Sequence, residues 1–250
     1  MTNPPDYRLI ILSGPSCAGK SPLAKALKRF YPELDKKMAP LVLYNSRSAR
    51  PGEVDGIDYH FRVREDIEKL RAKDRFVVMD VRGDLQALDL EELERNLGNS
   101  DVFFEGNPFV GRVLQTHPDL KGFNRLSIFM SPLSREELSF FKSVKPSVSL
   151  SGLVTDIMRR RLLRRTKKQK GNLSAADLEN IEKRASSAWL ELQEAYLYRY
   201  VIPNHDGEDS ENWDAFYYPI GDARKSLLAF VDLLQGKQPD FAEIWEDRVL

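Results

Sequence analysis

Gly14-Pro15-Ser16-Cys17-Ala18-Gly19-Lys20-Ser21 is the stretch whose residue types and spacing most directly imply chemistry. It fits G-x-x-x-x-G-K-[ST], a phosphate loop. Glycines let the backbone turn and come close to phosphate oxygens. The loop amides and the positive end of a following helix favour an anion. Lys20 supplies a point charge to the β- and γ-phosphates, and Ser21 offers a hydroxyl to Mg2+. Gly14, Ser16, Cys17, Ala18, Gly19, Lys20 and Ser21 are therefore the candidate ATP-binding residues. A glycine turn beside a coincidental lysine is the plain alternative. Pro22 follows at once and has no amide to donate, so somewhat weaker or altered triphosphate binding is expected. Cys17 reads as a spacer rather than a catalytic thiol, with sensitivity to oxidation as a side effect.

The loop needs a strand before it and a helix after it. Leu9-Ile10-Ile11-Leu12 is a short apolar run of the kind a buried parallel strand has, and Leu23 to Leu27 continues as a helix. Further strands are expected at Leu41 to Tyr44, Asp58 to Val63, Phe76 to Met79, Val102 to Phe104, Leu126 to Met130 and Tyr200 to Ile202. Helices are expected at Glu65 to Lys73, Asp89 to Leu97, from Ser134, over about Ser174 to Tyr200, and at Ala223 to Leu234. Ser134 with Glu137, and Ser174 with Asp177, have capping-box spacing. Strands alternating with helices imply an α/β fold with a central parallel sheet flanked by helices. Lys142 to Thr155 and the acidic His205 to Trp213 break the rhythm and read as surface insertions.

Composition sets the outer limits. Lys+Arg and Asp+Glu balance at 38 each, so no global field draws nucleic acid or membrane. One cysteine cannot form an internal disulfide, which fits a reducing, cytoplasmic setting. No apolar run approaches the roughly 20 residues of a membrane span, and the first residues lack signal-peptide character.

A second segment is longer and more specific: Tyr44-Asn45-Ser46-Arg47-Ser48-Ala49-Arg50-Pro51-Gly52-Glu53-Val54-Asp55-Gly56-Ile57-Asp58-Tyr59-His60-Phe61. Together with the phosphate loop it resembles guanylate kinase, whose pattern is S-x-T-R-x-x-R-x-G-E-x-x-G-x-D-Y-x-F. Arg47, Arg50, Gly52, Glu53, Gly56, Asp58, Tyr59 and Phe61 fall on it. The resemblance continues to about residue 235. Ile128 to Ser134 looks like the family's strand before a capped helix. Arg161, Arg165 and Arg184 look like its lid and the helix after it, and Val201 to Asn204 like its last strand. It implies a P-loop kinase with Mg2+ and ATP, a small acceptor-binding α+β domain and a helical lid. The catalytic residues implied are Lys20, Arg161, Arg165 and Arg184. Two guanidinium forks, Arg47 and Arg50, with the phenol of Tyr59, suit a phosphate monoester. Solvated arginines in a polar loop are the competing reading.

The departures bear on the acceptor. Tyr44 stands where the family has a serine that helps read guanine, and Val78 where it has a glutamate, with Asp80 two residues on. Asp84, Leu85 and Gln86 stand where it has a hydroxyl residue or tyrosine. The phosphate grip is kept while base-reading groups change, which removes the warrant for guanine. Asp80 and Gln86 are either readers of another base or ordinary surface residues. The family's acidic strand end falls on Phe104-Glu105-Gly106-Asn107. Glu105 is the candidate carboxylate for Mg2+ or the acceptor, a surface carboxylate being the alternative. Asn107 replaces a second acid.

Arg159 to Lys170 carries eight basic residues in twelve. Three uses fit: a lid over the triphosphate, a nucleic-acid or acidic-partner patch, or a solvated helix face. The family pattern favours the lid. The expected organisation is thus a core of 1–40 and 101–235 with a lid at about 158–178, an acceptor domain of 41–100, and a tail of 236–250. The expected activity is ATP-dependent phosphorylation of a nucleoside monophosphate, GMP-like. The alternatives are a non-nucleotide phosphate ester such as a ribose phosphate, or a binding module that has lost catalysis. Oligomeric state is not legible.

Overall fold

The structure is a computed structural model and describes residues 7–50, 52–144 and 149–246. β1 (Arg8–Ser13) is the centre of a five-stranded sheet. Its neighbours are β7 (Asp101–Gly106) and β8 (Asn124–Ser131), with β2 (Met38–Pro40) and β9 (Tyr200–Pro203) at the margins. The order is β2-β7-β1-β8-β9, and every pairing is parallel.

The apolar run of β1 has its cause in two covered faces. Leu9 and Ile11 enter one cluster, with Val102, Phe104 and Phe129. Ile10 and Leu12 enter another, with Ile128, Met130, Leu227 and Phe230. The alternation is the strand's period of two, and a strand buried on both sides has no polar position. On the second face lie α1 (Lys20–Phe30) and α10 (Gly221–Leu234).

The small sheet has order β4-β3-β6-β5, from β3 (Tyr44–Asn45), β4 (His60–Phe61), β5 (Phe76–Val81) and β6 (Asp84–Asp89). Only β3 and β4 run parallel; the β3–β6 and β5–β6 pairs are antiparallel. Helix α3 (Arg64–Lys69) covers one face through Ile67, which packs with Leu85 and Ala87. The expected strand at Leu41 to Tyr44 is instead the crossing between sheets. Leu41 N–H donates to Phe103 O of the large sheet at 2.8 Å, and Leu43 O accepts from His60 N–H at 2.8 Å. The expected strand at Asp58 to Val63 shrinks to two residues. The helix expected to reach Lys73 ends at Lys69 and runs on as a 3-10 turn, Leu70–Ala72.

Helix α2 (Pro32–Asp35) follows α1, and α4 (Leu90–Leu97) starts at Asp89, whose carboxylate accepts from the amides of Glu91 and Glu92. Helix α5 (Pro108–Thr116) and strand β6 were not expected from the sequence. Helix α6 (Arg135–Val144) has the predicted box: Ser134 N–H donates to Glu137 Oε2 at 2.7 Å, and Glu137 N–H to Ser134 Oγ at 3.2 Å. Most of the supposed insertion at Lys142 to Thr155 is the end of α6 and the start of α7 (Leu150–Lys170); residues 145–148 lie outside the described residues. The long helix expected from Ser174 divides into α8 (Ala175–Ser186), α9 (Ala188–Leu192) and a 3-10 turn, Ala195–Leu197. The tail returns to the core: Val201 and Glu243 exchange backbone hydrogen bonds of 2.8 and 2.7 Å, and Trp245 is buried. Among the described residues no helix is long and apolar enough to cross a membrane.

Candidate active site

The phosphate loop bridges β1 and α1, as its pattern requires. Cys17 and Gly19 have positive φ (70° and 100°), so loop amides turn toward a common concavity of the kind that holds anions. Lys20 is buried, and its Nζ donates to Gly14 O at 2.9 Å and Pro15 O at 2.8 Å. Burial pushes the Lys20 ammonium below its ordinary value, against the pull of Glu208, Glu105 and Glu191. A desolvated cation whose only bonds are to carbonyls is poised to exchange them for phosphate oxygens.

Ser21 Oγ donates to Glu105 Oε1 at 2.6 Å. Burial raises the Glu105 carboxyl above its usual range, and the Ser21 bond and Lys20 oppose that rise. Two hard oxygens side by side at the mouth of the loop fit Mg2+, which keeps waters and substrate phosphates as its other ligands. Pro22 lies in the first turn of α1, where the amide it lacks is one the helix leaves unpaired.

The segment His205 to Trp213 was expected as a surface insertion, and the structure, which joins Asn204 to it, overturns that. It packs on the phosphate loop. Asn204 Nδ2 donates to Ala18 O at 2.8 Å, and a Cβ at Gly19 would collide with Asn204. A Cβ at Gly207 would strike Cys17 O. Trp213 Nε1 donates to Asp206 O at 2.9 Å and closes the turn. The segment brings Glu208 to the loop, 3.1 Å from Arg165. Burial disfavours the Glu208 carboxylate, but Lys20, Arg165 and Arg184 outweigh it and hold its carboxyl below the usual range.

The three arginines expected of a lid divide by placement. Arg161, on α7, is buried and donates to Asn204 O at 3.3 Å and His205 O at 3.0 Å. It clamps that segment rather than facing open space. Arg165 faces Glu208. Arg184, on α8, donates from Nε to Ser16 Oγ at 3.0 Å. Burial, then the like charges of Arg165, Arg50 and Arg82, push the Arg184 guanidinium down to about 9. The remaining bases of α7 are solvated or paired, as Arg159 is with Glu182 and Arg160 with Asp156. The helix-face reading therefore holds for that part of the basic run.

Of the acceptor candidates, Arg47 is committed to Glu53: its fork donates to Oε2 at 2.6 Å and Oε1 at 2.7 Å. It also lies over the rings of Tyr59 and Phe61. Arg50 is half exposed, with Glu53 3.9 Å away, and partial burial and then the like charge of Arg47 hold its guanidinium below the ordinary arginine value. Burial raises the Tyr59 phenol, and both arginines oppose it.

Two candidates are misplaced for base reading. Tyr44 packs with the Ile67 cluster, on His60 and Phe76, beneath α3. Asp80 is mostly exposed and accepts from Gly83 N–H at 2.8 Å, so it serves the turn after β5. On the opposite face of the small sheet a cross-strand row runs Asn45, Gln86, Met79, with all three buried. Gln86 therefore keeps its candidacy, and Asn45 joins it where Tyr44 was expected. A shift of one residue along a strand reverses the face, and that is the whole difference.

Three further charged residues were missed. Arg82, in the turn between β5 and β6, pairs with the fully buried Glu191 on α9, and Glu208 sits on the loop. The signal for Arg82 was present: in Val81-Arg82-Gly83-Asp84 a large side chain stands in a two-residue hairpin turn, where Asn or Gly is usual.

The family model described as Guanylate kinase matches residues 6–102. A guanylate kinase of Ruegeria sp. (strain TM1040) is 30% identical over 237 residues, covering 94% of this chain and 89% of that protein. The guanylate kinase of Bacillus subtilis (strain 168) is 28% identical over 202 residues, with coverages of 80% and 82%. The crystal structure of guanylate kinase from Anaplasma phagocytophilum superposes with a TM-score of 0.54 at 19% identity, over 93% of this chain and 86% of that one, and so shares the fold. With a phosphate loop, an arginine cluster and a second small sheet in one frame, the chain belongs to the guanylate kinase family, a family of nucleoside monophosphate kinases.

Proposed function

We propose that the chain transfers the γ-phosphoryl group of Mg-ATP to a nucleoside monophosphate, with GMP the first candidate. The observation that carries this reading is the meeting of Lys20 and the Ser21–Glu105 pair with Arg165 and Arg184 at one loop. Phosphoryl transfer asks the protein for position and for charge against the moving group, and little covalent work. In this reading the loop amides and Lys20 hold the β- and γ-phosphates. Arg165 and Arg184 face the transferring group. Arg50, with Tyr59, takes the acceptor's phosphate, and Arg47 braces Tyr59 through the Glu53 pair. Asn45 and Gln86 offer amides to the base. Ser21 and Glu105 would hold Mg2+, which when bound would supply neutralising charge on the phosphate oxygens. Residues 41–100 act as the acceptor domain and the α7–α8 hairpin as the lid.

The test is release of ADP from Mg-ATP with GMP, dGMP, AMP, CMP, UMP, dTMP and ribose phosphates in turn. A preference for GMP or dGMP supports the reading in full. Turnover with a sugar phosphate alone replaces the acceptor. No turnover with any of them, while ATP binds, overturns it.

A further inference from the structure

The turn between β5 and β6 has two residues of positive φ, Arg82 at 59° and Gly83 at 87°. Two-residue turns of this kind favour Asn, Asp or Gly at both positions. An arginine that breaks a local rule points to a task elsewhere. Its guanidinium leaves the small sheet and ends on the core. Nε donates to Glu191 Oε1 at 2.7 Å, and Nη2 donates to the same oxygen. Glu191, on α9, is fully buried. Its Oε1 also accepts from Ser187 Oγ at 2.7 Å and Asn107 Nδ2 at 3.2 Å, while Oε2 has no partner. Among the described residues this is the one side-chain ion pair joining residues 41–97 to the rest of the chain. It lies beside the site, since its charges act on Lys20 and Arg82 acts on Arg184.

We propose that Arg82, held by Glu191, is a positioning residue that docks the acceptor sheet on the core and sets the separation between acceptor and phosphate loop. A buried carboxylate needs a fixed, fully charged partner, and a guanidinium fork supplies one with defined geometry. Asn107 ties the same carboxylate to the end of β7, next to Glu105. One junction therefore registers the hairpin of the small sheet, the acidic strand end and the helix that follows Arg184. Misplacing reactants by about 1 Å is enough to cost about 100-fold in rate.

The inference rests on the kinase reading for its effect on rate, and one measurement avoids that dependence. The double variant Arg82→Asn/Glu191→Gln keeps a turn-compatible residue and removes both charges, so no lone carboxylate is left buried. Spin labels at Glu65→Cys on α3 and Leu228→Cys on α10 then report the separation of the two sheets, since native Cys17 is buried and escapes labelling. A narrow distance distribution is expected in the parent and a broad one in the double variant. With the preferred acceptor, kcat/KM for acceptor should fall about 10- to 100-fold. The Mg-ATP Kd should change less than about twofold, and Arg82→Lys should recover part of the loss. An unchanged distribution overturns the docking role. Equal losses for acceptor and ATP also overturn it, because they mark general damage. Absence of turnover in the parent refutes the kinase reading alone and leaves the distance result to decide the junction.

Discussion

Arg184→Met should make the free protein more stable and its ATP complex weaker. The guanidinium sits beside Arg165, Arg50 and Arg82, and burial with those charges pushes it from the ordinary arginine value down to about 9. At ~1.4 kcal/mol per pH unit, that is about 5 kcal/mol against the charged form. Arginine stays charged at neutral pH, so the cost remains in the folded state. Methionine keeps the apolar stem and removes the charge. It also removes the bond to Ser16 Oγ, worth about 1 kcal/mol. Relaxation and partial hydration reduce the rest, leaving a gain of about 2–3 kcal/mol. For a chain of this size that raises Tm by about 5–10 °C. In the proposed reading, ATP is the partner of this charge. Losing a charge-assisted contact of about 2 kcal/mol weakens ATP about 30-fold. At a concentration 100-fold above the parent Kd, ATP stabilises the parent by about 2.7 kcal/mol and the variant by about 0.9. Differential scanning fluorimetry with and without Mg-ATP reads both effects. A variant that melts lower than the parent without ligand, yet keeps the full ATP shift, refutes the reasoning.

Two more outcomes follow from buried or paired groups. His205 lies 2.5 Å from Asp222 and 2.9 Å from Glu137. Burial opposes its charge, but Asp222 and Glu137 prevail and raise it above 6.5. Its contribution is then full below pH 6.5 and is lost as pH rises through the raised value. Chemical denaturation between pH 6 and 8 should show stability falling with pH, and His205→Ala should flatten that slope. Cys17 is buried in the loop, and burial, reinforced by Glu208, pushes its thiol up to about 12. A thiol reagent at pH 8 should leave the native protein unmodified and react in denaturant; rapid native reaction contradicts the packing of the 204–213 segment over the loop. By the same burial, peroxide should oxidise native Cys17 slowly, against the sensitivity its place in the loop implies.

The parts legible in the sequence were those fixed by local pattern. The loop, both capping boxes and the two-sided strands follow from residue type and period, because each needs only its own neighbours. Tyr44 turns to the α3 face because face in a two-residue strand depends on register, which pairing with β6 decides; Asp80, in the six-residue β5, is taken up by the turn that follows it. The 205–213 segment is polar and rich in turn formers, so its sequence reads as surface. Its place on the loop comes from Arg161, Asn204 and Gly207, contacts that span the chain. Glu191 looked like any helical glutamate until α9 turned it inward onto Arg82.

The most direct test of the whole account is transfer of a labelled γ-phosphoryl group from Mg-ATP to GMP by the parent and by Lys20→Ala. Lys20 is buried at a cost to its charge, so its removal should leave Tm unchanged within a few degrees. The account predicts labelled GDP from the parent and a loss of at least about 100-fold in the variant. No labelled nucleoside diphosphate from the parent, or equal transfer by both proteins, contradicts it.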